Sequence, residues 1–514
     1  MGSRHFPART VLFEKEQSGA TYRVPALLYI PTCKMLLAFA EQRMDTDDAH
    51  ANLLVLRRGV FYRSYLEWED MRILDTAALK YHRSMNPCPL YDEFTGTVFL
   101  FFITVLGKVT ESYQIITGQN HARFCYVSSS DQGHSWSTIT DLTKQVIGST
   151  IKDWATFALG PGHGIQLQSG RLLVPAYAYY INCKECFGKI CKTTPHAFTF
   201  YSDDHGKSWK CGEFVPNLET VECQVSSVYE EDGTSILYCN ARSSLGFRVQ
   251  ALSSDGGAVF HSGQLVQKLV EPLHGCHGSI IGFPAPLEFN TSLLPQQTKS
   301  YAHPWFVSYQ KGSECFSKVD RLQNIPWGCF KKVDDNTSVT SLSSRSQRGW
   351  QWQERFKESG PSNLQGSNAN DYLPLAKPSK SQVELKSGCV LHFQTPTWML
   401  YAHPTSSISR VNLGVYLSTF PRDADSWSEP WVIYEGPSAY SDLAYIELPS
   451  SESTAIGMPA TVFVCLYENG IRSPYEQISC SIFTLHEVIQ NIPANCISNC
   501  KKLPSIHKMS CITS

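Results

Sequence analysis

The chain has 514 residues, 18% of them charged, with a net charge of −2 and no block of five like charges. That length exceeds what one simple core fills, so it requires several domains or one large closed architecture, and the charge balance gives no footprint of nucleic-acid binding. Residues 1–20 lack the apolar core of a secretory signal and the apolar run Val98 to Leu106 is too short to span a bilayer, so the chain is expected to be made in the cytosol, with its 18 cysteines reduced and its sequons at Asn290 and Asn336 unmodified.

In chain order, runs rich in β-branched and aromatic residues predict strands at Met35–Glu41, Asn52–Gly59, Val98–Leu106, Ala122–Ser128, Leu172–Tyr179, Ala197–Tyr201, Ile236–Asn240, Leu413–Ser418, Thr461–Glu468 and Ile478–Leu485. Helical periodicity is confined to short stretches near Asp141–Ile147. The chain is therefore predicted to be all-β. A small motif repeats within this pattern: Ser129-x-Asp131-x-Gly133-x-x-Trp136, Ser202-x-Asp204-x-Gly206-x-x-Trp209 and a weaker Ser253-x-Asp255-x-Gly257-x-x-Phe260. In such an Asp box the carboxylate accepts backbone N–H groups, glycine supplies a positive φ, and the aromatic ring packs the turn onto the strands beneath. These carboxylates are thus occupied by structure rather than chemistry.

Hairpins repeated at this scale close most naturally into a β-propeller, and the length suits six blades. Residues 290–395 interrupt the pattern with Ser, Lys, Gln and Asn clusters and few strand signals, and are expected to form an inserted, largely irregular loop. The expected organisation is a first group of blades over 1–289, the insert, the last blades over 396–490 and a tail over 491–514. The tetrapeptide Tyr-Ala-His-Pro occurs at Tyr301 and again at Tyr401; only the second copy leads into a strand, through Arg410.

Tyr22-Arg23-Val24-Pro25 followed by three such boxes resembles the sialidase family. The likeness extends through Ala40-Glu41-Gln42-Arg43, His82-Arg83-Ser84-Met85-Asn86-Pro87, Gly160-Pro161-Gly162-His163, Val174-Pro175-Ala176-Tyr177-Ala178-Tyr179 and Tyr440-Ser441-Asp442-Leu443, and is to the animal cytosolic and membrane-associated type. Sialic acid carries a carboxylate beside its anomeric carbon, which calls for guanidinium forks. The resemblance puts these on Arg23, Arg242 and Arg410. An anionic nucleophile would be repelled there, whereas a neutral tyrosine activated by a base would not, and sialidases are a recognised exception to the two-carboxylate rule. The resemblance implies Tyr440 as nucleophile and Glu222 as its base. A phenol with a pKa near 10 requires such a base at neutral pH. One further carboxyl must protonate the leaving group and then activate water. Asp45, Asp47 and Asp48 compete for this; the family spacing selects Asp48, with Asp47 as rival.

The resemblance further implies binding roles for Arg43, Asn86, Glu111, Tyr177 and Tyr179 around the sugar ring and its acyl and glycerol arms. It also implies that Glu468 holds the first arginine in position. No metal or other cofactor is expected. Cys183, Cys186 and Cys191 near His196 have the residue types of a zinc site without the usual second pair spacing. Met-Gly-Ser at the start has Phe6 where myristoylation wants Ser or Thr, and Thr513 weakens the Cys511-Ile512-Thr513-Ser514 match to a prenylation box.

The expected activity is hydrolysis of terminal sialosides with retention. Because the large insert resembles that of the ganglioside-preferring members, a sialylated glycolipid substrate and peripheral attachment to the plasma membrane or an endomembrane are expected, with a cytosolic location as the alternative. A non-catalytic sialoglycan-binding propeller, or sialyl transfer to another sugar, remain rival functions; the nucleophile pair favours catalysis over mere binding.

Overall fold

The computed structural model describes residues 5–62, 65–186, 190–230, 233–286, 395–448 and 460–493. The expected insert lies outside them except for residue 395, and the expected tail from residue 494 onward.

The fold is all-β and propeller-like. β1 (Arg9–Glu14) is followed by a sheet of β2 (Thr21–Ile30), β3 (Met35–Arg43), β4 (Ala51–Tyr62) and β5 (Tyr65–Trp68), with β6 (Arg72–Ile73) paired to β4. The second sheet holds β7 (His82–Asp92), β8 (Thr97–Leu106), β9 (Ala122–Ser129) and β10 (Thr140–Asp141). The third is built from β11 (Trp154–Leu159), β12 (Ile165–Gln166), β13 (Leu172–Cys186), β14 (Ile190–Ser202) and β15 (Lys210–Cys211). The fourth has β16 (Cys223–Tyr229), β17 (Ser235–Ala241), β18 (Phe247–Ser253) and β19 (Gln264–Val270). β20 (Ser279–Pro284), β21 (Thr397–Pro404), β22 (Val411–Ser418), β23 (Trp431–Leu448), β24 (Ala460–Asn469) and β25 (Gln477–Thr484) join β1 in a seven-stranded sheet. The 18-residue β23 pairs with β22 along its first half and β24 along its second. All pairings are antiparallel, β1 closes against β25, and β2 packs on both β7 and β23, so the sheets follow one another around a ring. Apolar side chains fill the spaces between successive sheets, as in the Leu100, Phe102 and Val127 layer against Leu37 and Leu56.

Most expected strands fall inside observed ones, but the sequence patterns miss β1, β2, β5 to β7, β10 to β12, β15, β16, β18 to β21 and β23. Several of these are innermost strands that carry prolines (Pro25, Pro87, Pro89) or are almost wholly buried, so they show neither alternation nor clean boundaries. The expected strand at Ile478–Leu485 stops one residue early, because Leu485 begins helix α2. Near Asp141–Ile147 there is a π-helical turn, Thr143–Ile147, running into a 3₁₀ segment. Two short α-helices escape the periodicity test: α1 (Glu111–Thr117), capped by Thr110, and α2 (Leu485–Asn491), closed by a Thr484–Glu487 capping box. Glu111, expected only as a pocket wall, thus opens a helix.

The strands either side of the expected insert, β20 and β21, pair directly from Ser279↔Ala402 to Pro284↔Thr397. The three Ser-x-Asp-x-Gly turns share one hydrogen-bond pattern. In the first, Ser129 Oγ donates to Asp131 Oδ1 (2.8 Å), Gly133 N–H to Ser129 Oγ (2.8 Å), and Ser135 N–H to Asp131 Oδ1 (2.9 Å). Gly133, Gly206 and Gly257 all have positive φ, and the Trp209 ring meets Phe101 edge-on at 4.7 Å.

Candidate active site

The expected site residues gather at one end of the sheets, and irregularities in pairing aim them. In β2, Arg23 pairs with Glu41 but Ala26 pairs with Phe39, so one extra residue is inserted at Val24-Pro25. β7 repeats this at Asn86-Pro87, between Met85↔Ile103 and Cys88↔Phe101. β23 does so at Ala439-Tyr440, between Ser438↔Asn469 and Ser441↔Tyr467. Such bulges turn a side chain out of the pleat, and a proline without an N–H fits where the ladder is broken. Val24 adopts φ 55° and Asn86 φ 54° at these points. For a β-branched valine that conformation is strained and needs external support.

Glu468 supplies the support. Its buried carboxylate accepts Val24 N–H (2.8 Å), Tyr440 N–H (3.2 Å), and Arg23 Nε (2.8 Å) and Nη2 (3.5 Å). One anion therefore pins two bulges and an arginine. The Arg23 guanidinium lies 3.8 Å over the ring of Tyr475 and 5.6 Å from that of Tyr440. Arg410 Cζ approaches the Tyr440 ring to 5.3 Å; its Nη1 donates to Tyr475 OH (3.1 Å), and its Nε (3.1 Å) and Nη2 (2.9 Å) to the Gly275 carbonyl. Arg242 donates from Nη1 to Glu222 Oε2 (2.5 Å) and Tyr440 OH (3.3 Å), and from Nη2 to the His274 carbonyl. The three arginines thus converge on one tyrosine.

The Tyr440 hydroxyl donates to Glu222 Oε1. Burial raises the phenol well above its usual range, reinforced by the Glu222 charge. Burial would also raise Glu222, but the Arg242 charge, together with His277 and the hydrogen bonds from Tyr440 and Arg242, more than offsets it and leaves the carboxyl below its ordinary value. The resting pair is a neutral phenol beside a carboxylate. His277, buried, packs its ring 5.4 Å from that of Tyr440 at a tilt of 50°, and neither ring nitrogen has a hydrogen-bond partner among the described residues. Burial lowers it to about 4, so it is neutral at physiological pH.

The aspartate loop divides its labour. Asp45 accepts His50 Nδ1 (2.7 Å), Asp47 caps the following turn by accepting Ala49 N–H (2.9 Å), and Asp48 pairs with Arg43 Nη1 and lies 3.9 Å from Arg23 Nη1. Among these three only Asp48 reaches the arginines, with 71% of its side chain open at the cleft. Enclosure by the cleft walls would raise Asp48; Arg43 and then Arg23 more than offset this and lower it. Arg43 is braced from behind by buried Glu41 through Nε (2.8 Å) and Nη2 (2.5 Å), and Glu41 also accepts Asn86 N–H (2.7 Å).

On the opposite wall Tyr177 OH donates to Glu111 Oε1 (3.1 Å), with the Tyr179 ring 6.2 Å from that of Tyr177. Glu111 as a residue is exposed, but desolvation of its carboxyl beside Tyr177, then the Glu222 charge, push it up to about 7. All twelve expected residues therefore line or brace one cleft. Sequence reasoning missed Tyr475, His277, Glu41 and the Gly275 carbonyl; the Gly-Cys-His-Gly run around residue 276 was the available signal. Gly275 has φ 63°, and a Cβ there would sit 2.3 Å from Arg242 Nε.

Beneath the cleft, two residues beyond Tyr440, Asp442 ties the innermost strands together. It accepts Leu27 N–H (2.7 Å), Gln224 Nε2 (2.9 Å), Ser279 Oγ (2.9 Å) and Leu443 N–H (3.0 Å), and pairs with His163 Nδ1 at 2.7 Å. No cluster of three or more potential metal ligands occurs among the described residues. A cleft with three arginines, a tyrosine–carboxylate pair and an accessible aspartate can hold a carboxylate and exchange protons and a covalent bond beside it.

Residues 34–274 match the family model of a BNR repeat-like domain. Mouse Sialidase-4 is 48% identical over 501 residues, covering 96% of each chain; human Sialidase-3 is 40% identical over 489 residues, covering 95% of each. Among solved structures, the Hadza microbial sialidase Hz136 superposes with TM-score 0.57 at 18% identity, over 93% of this chain and 69% of its own. The intramolecular trans-sialidase of Ruminococcus gnavus does so with TM-score 0.54 at 14% identity, over 93% and 98%.

Proposed function

The chain belongs to the sialidase family of glycoside hydrolases, and from that premise we propose that it is a retaining exo-sialidase that uses Tyr440 as nucleophile and acts on sialylated glycolipids, gangliosides among them, at a membrane surface. Counting the seven-stranded sheet as two blades that share β23, the fold is a six-bladed propeller whose ring brings the scattered residues together. The observation that carries the mechanism is the Tyr440 hydroxyl donating to Glu222 at the focus of Arg23, Arg242 and Arg410.

The arginines hold the substrate carboxylate. Tyr440 Oη attacks the anomeric carbon as its proton passes to Glu222, and the glycosidic bond breaks as Asp48 protonates the departing oxygen. Asp48 then takes a proton from water, the water oxygen attacks the same carbon, and Tyr440 departs, recovering its proton from Glu222. Two inversions give retention. Asp48 must start protonated, whereas Arg43 and Arg23 favour its anion. A bound sialic acid carboxylate answers part of that positive charge and displaces water, and both changes raise Asp48. Arg43, Asn86, Glu111, Tyr177 and Tyr179 contact the ring and its arms, and Glu468 positions Arg23.

Release of fluorophore from a sialic acid glycoside tests this reading. The wild type should turn over, and Tyr440→Phe should lose about two decades or more in rate with its fold intact. No release by the wild type would overturn the hydrolase reading; full activity in Tyr440→Phe would overturn the nucleophile.

A further inference from the structure

Among the described residues, the five most exposed large apolar side chains are Ile471 (88%), Ile408 (77%), Leu273 (76%), Tyr81 (75%) and Met44 (71%). All five sit at the catalytic end. Met44 follows Arg43 at the end of β3, Leu273 precedes the His274 carbonyl that receives Arg242, and Ile408 lies two residues before Arg410. Ile471 leaves β24 just beyond Glu468, on the loop that carries Tyr475, and Tyr81 precedes β7 and accepts Gly107 N–H ahead of α1. At the other end the most exposed such residue, Phe94 (69%), rests against the His205 ring at 5.4 Å. Isolated exposed apolar residues need no explanation, but one on each of five loops around a single cleft is a pattern.

We infer that these loop tips dock the mouth of the cleft onto a lipid bilayer, so that the active site faces the membrane and takes substrates whose sialic acid stands close to it. The tips are separate points divided by the cleft rather than one continuous face. A protein partner needs contiguous complementary surface, whereas a fluid hydrocarbon interface closes around separate tips. Exposed Lys80, Lys108 and Arg472 stand among the tips with no ion pair among the described residues, which suits anionic headgroups. Asp45 and Asp47 follow Met44 and Glu476 lies on the Ile471 loop, but their carboxylates are engaged by His50 and by backbone N–H groups. The docking deepens the proposed glycolipid specificity and rests on that reading only for the identity of the substrate; the surface itself stands on exposure and position.

The test is flotation of the full chain with phosphatidylcholine vesicles containing a minority of phosphatidylserine, comparing wild type with Ile408→Ser/Ile471→Ser/Leu273→Ser. The wild type should float, the triple variant should lose at least about tenfold in partition, and both should hydrolyse a soluble sialoside equally while only the wild type works efficiently on a glycolipid in vesicles. A wild type that stays in solution, or a variant that floats equally, overturns the docking face. So does a wild-type dimer in the absence of lipid that the variant abolishes, since the tips would then be covered by a second copy. Flotation without hydrolysis of the soluble sialoside would sink the proposed function and leave the docking intact.

Discussion

Replacing Glu468 with glutamine keeps the volume and removes one charge. The carboxylate is fully buried and serves four N–H groups, on Arg23, Val24 and Tyr440. Removing one partner of a buried ion pair costs about 3–5 kcal/mol, and the glutamine carbonyl retains one or two of the four bonds, returning about 1–2 kcal/mol. The net expectation is a loss of about 1–4 kcal/mol in folding stability. The amide NH₂ faces donors in either orientation, Val24 N–H with Arg23 Nε or Tyr440 N–H with Arg23 Nη2, so one of the two bulges loses its bond, and Arg23, only 7% exposed, keeps just Asp48 at 3.9 Å as counter-charge. A misplaced fork weakens carboxylate binding by about 1.5–3 kcal/mol, or roughly one to two decades in kcat/KM, carried mainly by KM. Urea unfolding with unchanged m and initial-rate kinetics on a soluble sialoside measure the two effects separately. If the midpoint and kcat/KM of Glu468→Gln both match the wild type, the carboxylate does not organise the site and the reasoning fails.

Asp48→Asn removes the group that protonates the aglycone, so the loss should be largest for poor leaving groups such as a natural sialyl-galactose and smaller for an activated phenyl sialoside; equal losses on both would argue against the acid role. Glu111 has its pKa raised from 4.5 to about 7, so between those values the folded chain holds a proton that the unfolded chain has released, and its contribution to stability falls as pH rises through the window. Its ionisation also places a negative charge in the cleft: KM should climb as pH passes about 7, and Glu111→Gln should flatten both the KM profile and that part of the pH dependence of thermal unfolding. Gly275→Ala forces an L-residue into positive φ at a cost of about 1–2 kcal/mol and drives its Cβ into Arg242, so kcat/KM should fall by roughly tenfold or more with the fold retained. Asp131→Ala should behave in the opposite sense, lowering the melting temperature through its lost turn bonds, about 1–2 kcal/mol in total, while kcat and KM stay unchanged.

The strand content and the turn motifs were legible because runs of β-branched and aromatic residues mark strands such as β3 and β8 and turns depend on local chemistry, as the Ser129–Asp131–Ser135 bonds illustrate. The innermost strands were not. β2 and β7 carry proline in mid-strand, which single-chain patterns read as a break, yet in the fold the proline occupies a bulge where no N–H is required. α1 is seven residues long, below the length at which a helical period becomes visible, so the setting of Glu111 was hidden. The cleft itself was readable only through family motifs, because its members range from Arg23 to Glu468 and no local pattern joins them. What resemblance could not supply was the wiring: Glu468 bracing two bulges, Tyr475 lying between Arg23 and Arg410, and His277 packed neutral against Tyr440. Each of these is a contact distant in sequence. The choice of Asp48 over Asp47 becomes physical in the same way, since Asp47 is engaged in capping the turn that presents Asp48 to Arg43.

The most direct test of the central claim is to trap the enzyme with 2,3-difluorosialic acid, whose fluorine at carbon 3 slows release of a glycosyl-enzyme, and to locate the adduct by peptide mass spectrometry. One 3-fluorosialyl group per chain is expected, attached through the Tyr440 oxygen and absent in Tyr440→Phe. An adduct on the Asp48 or Glu222 carboxylate, or turnover of sialosides without any covalent intermediate under conditions that trap one, would contradict that claim.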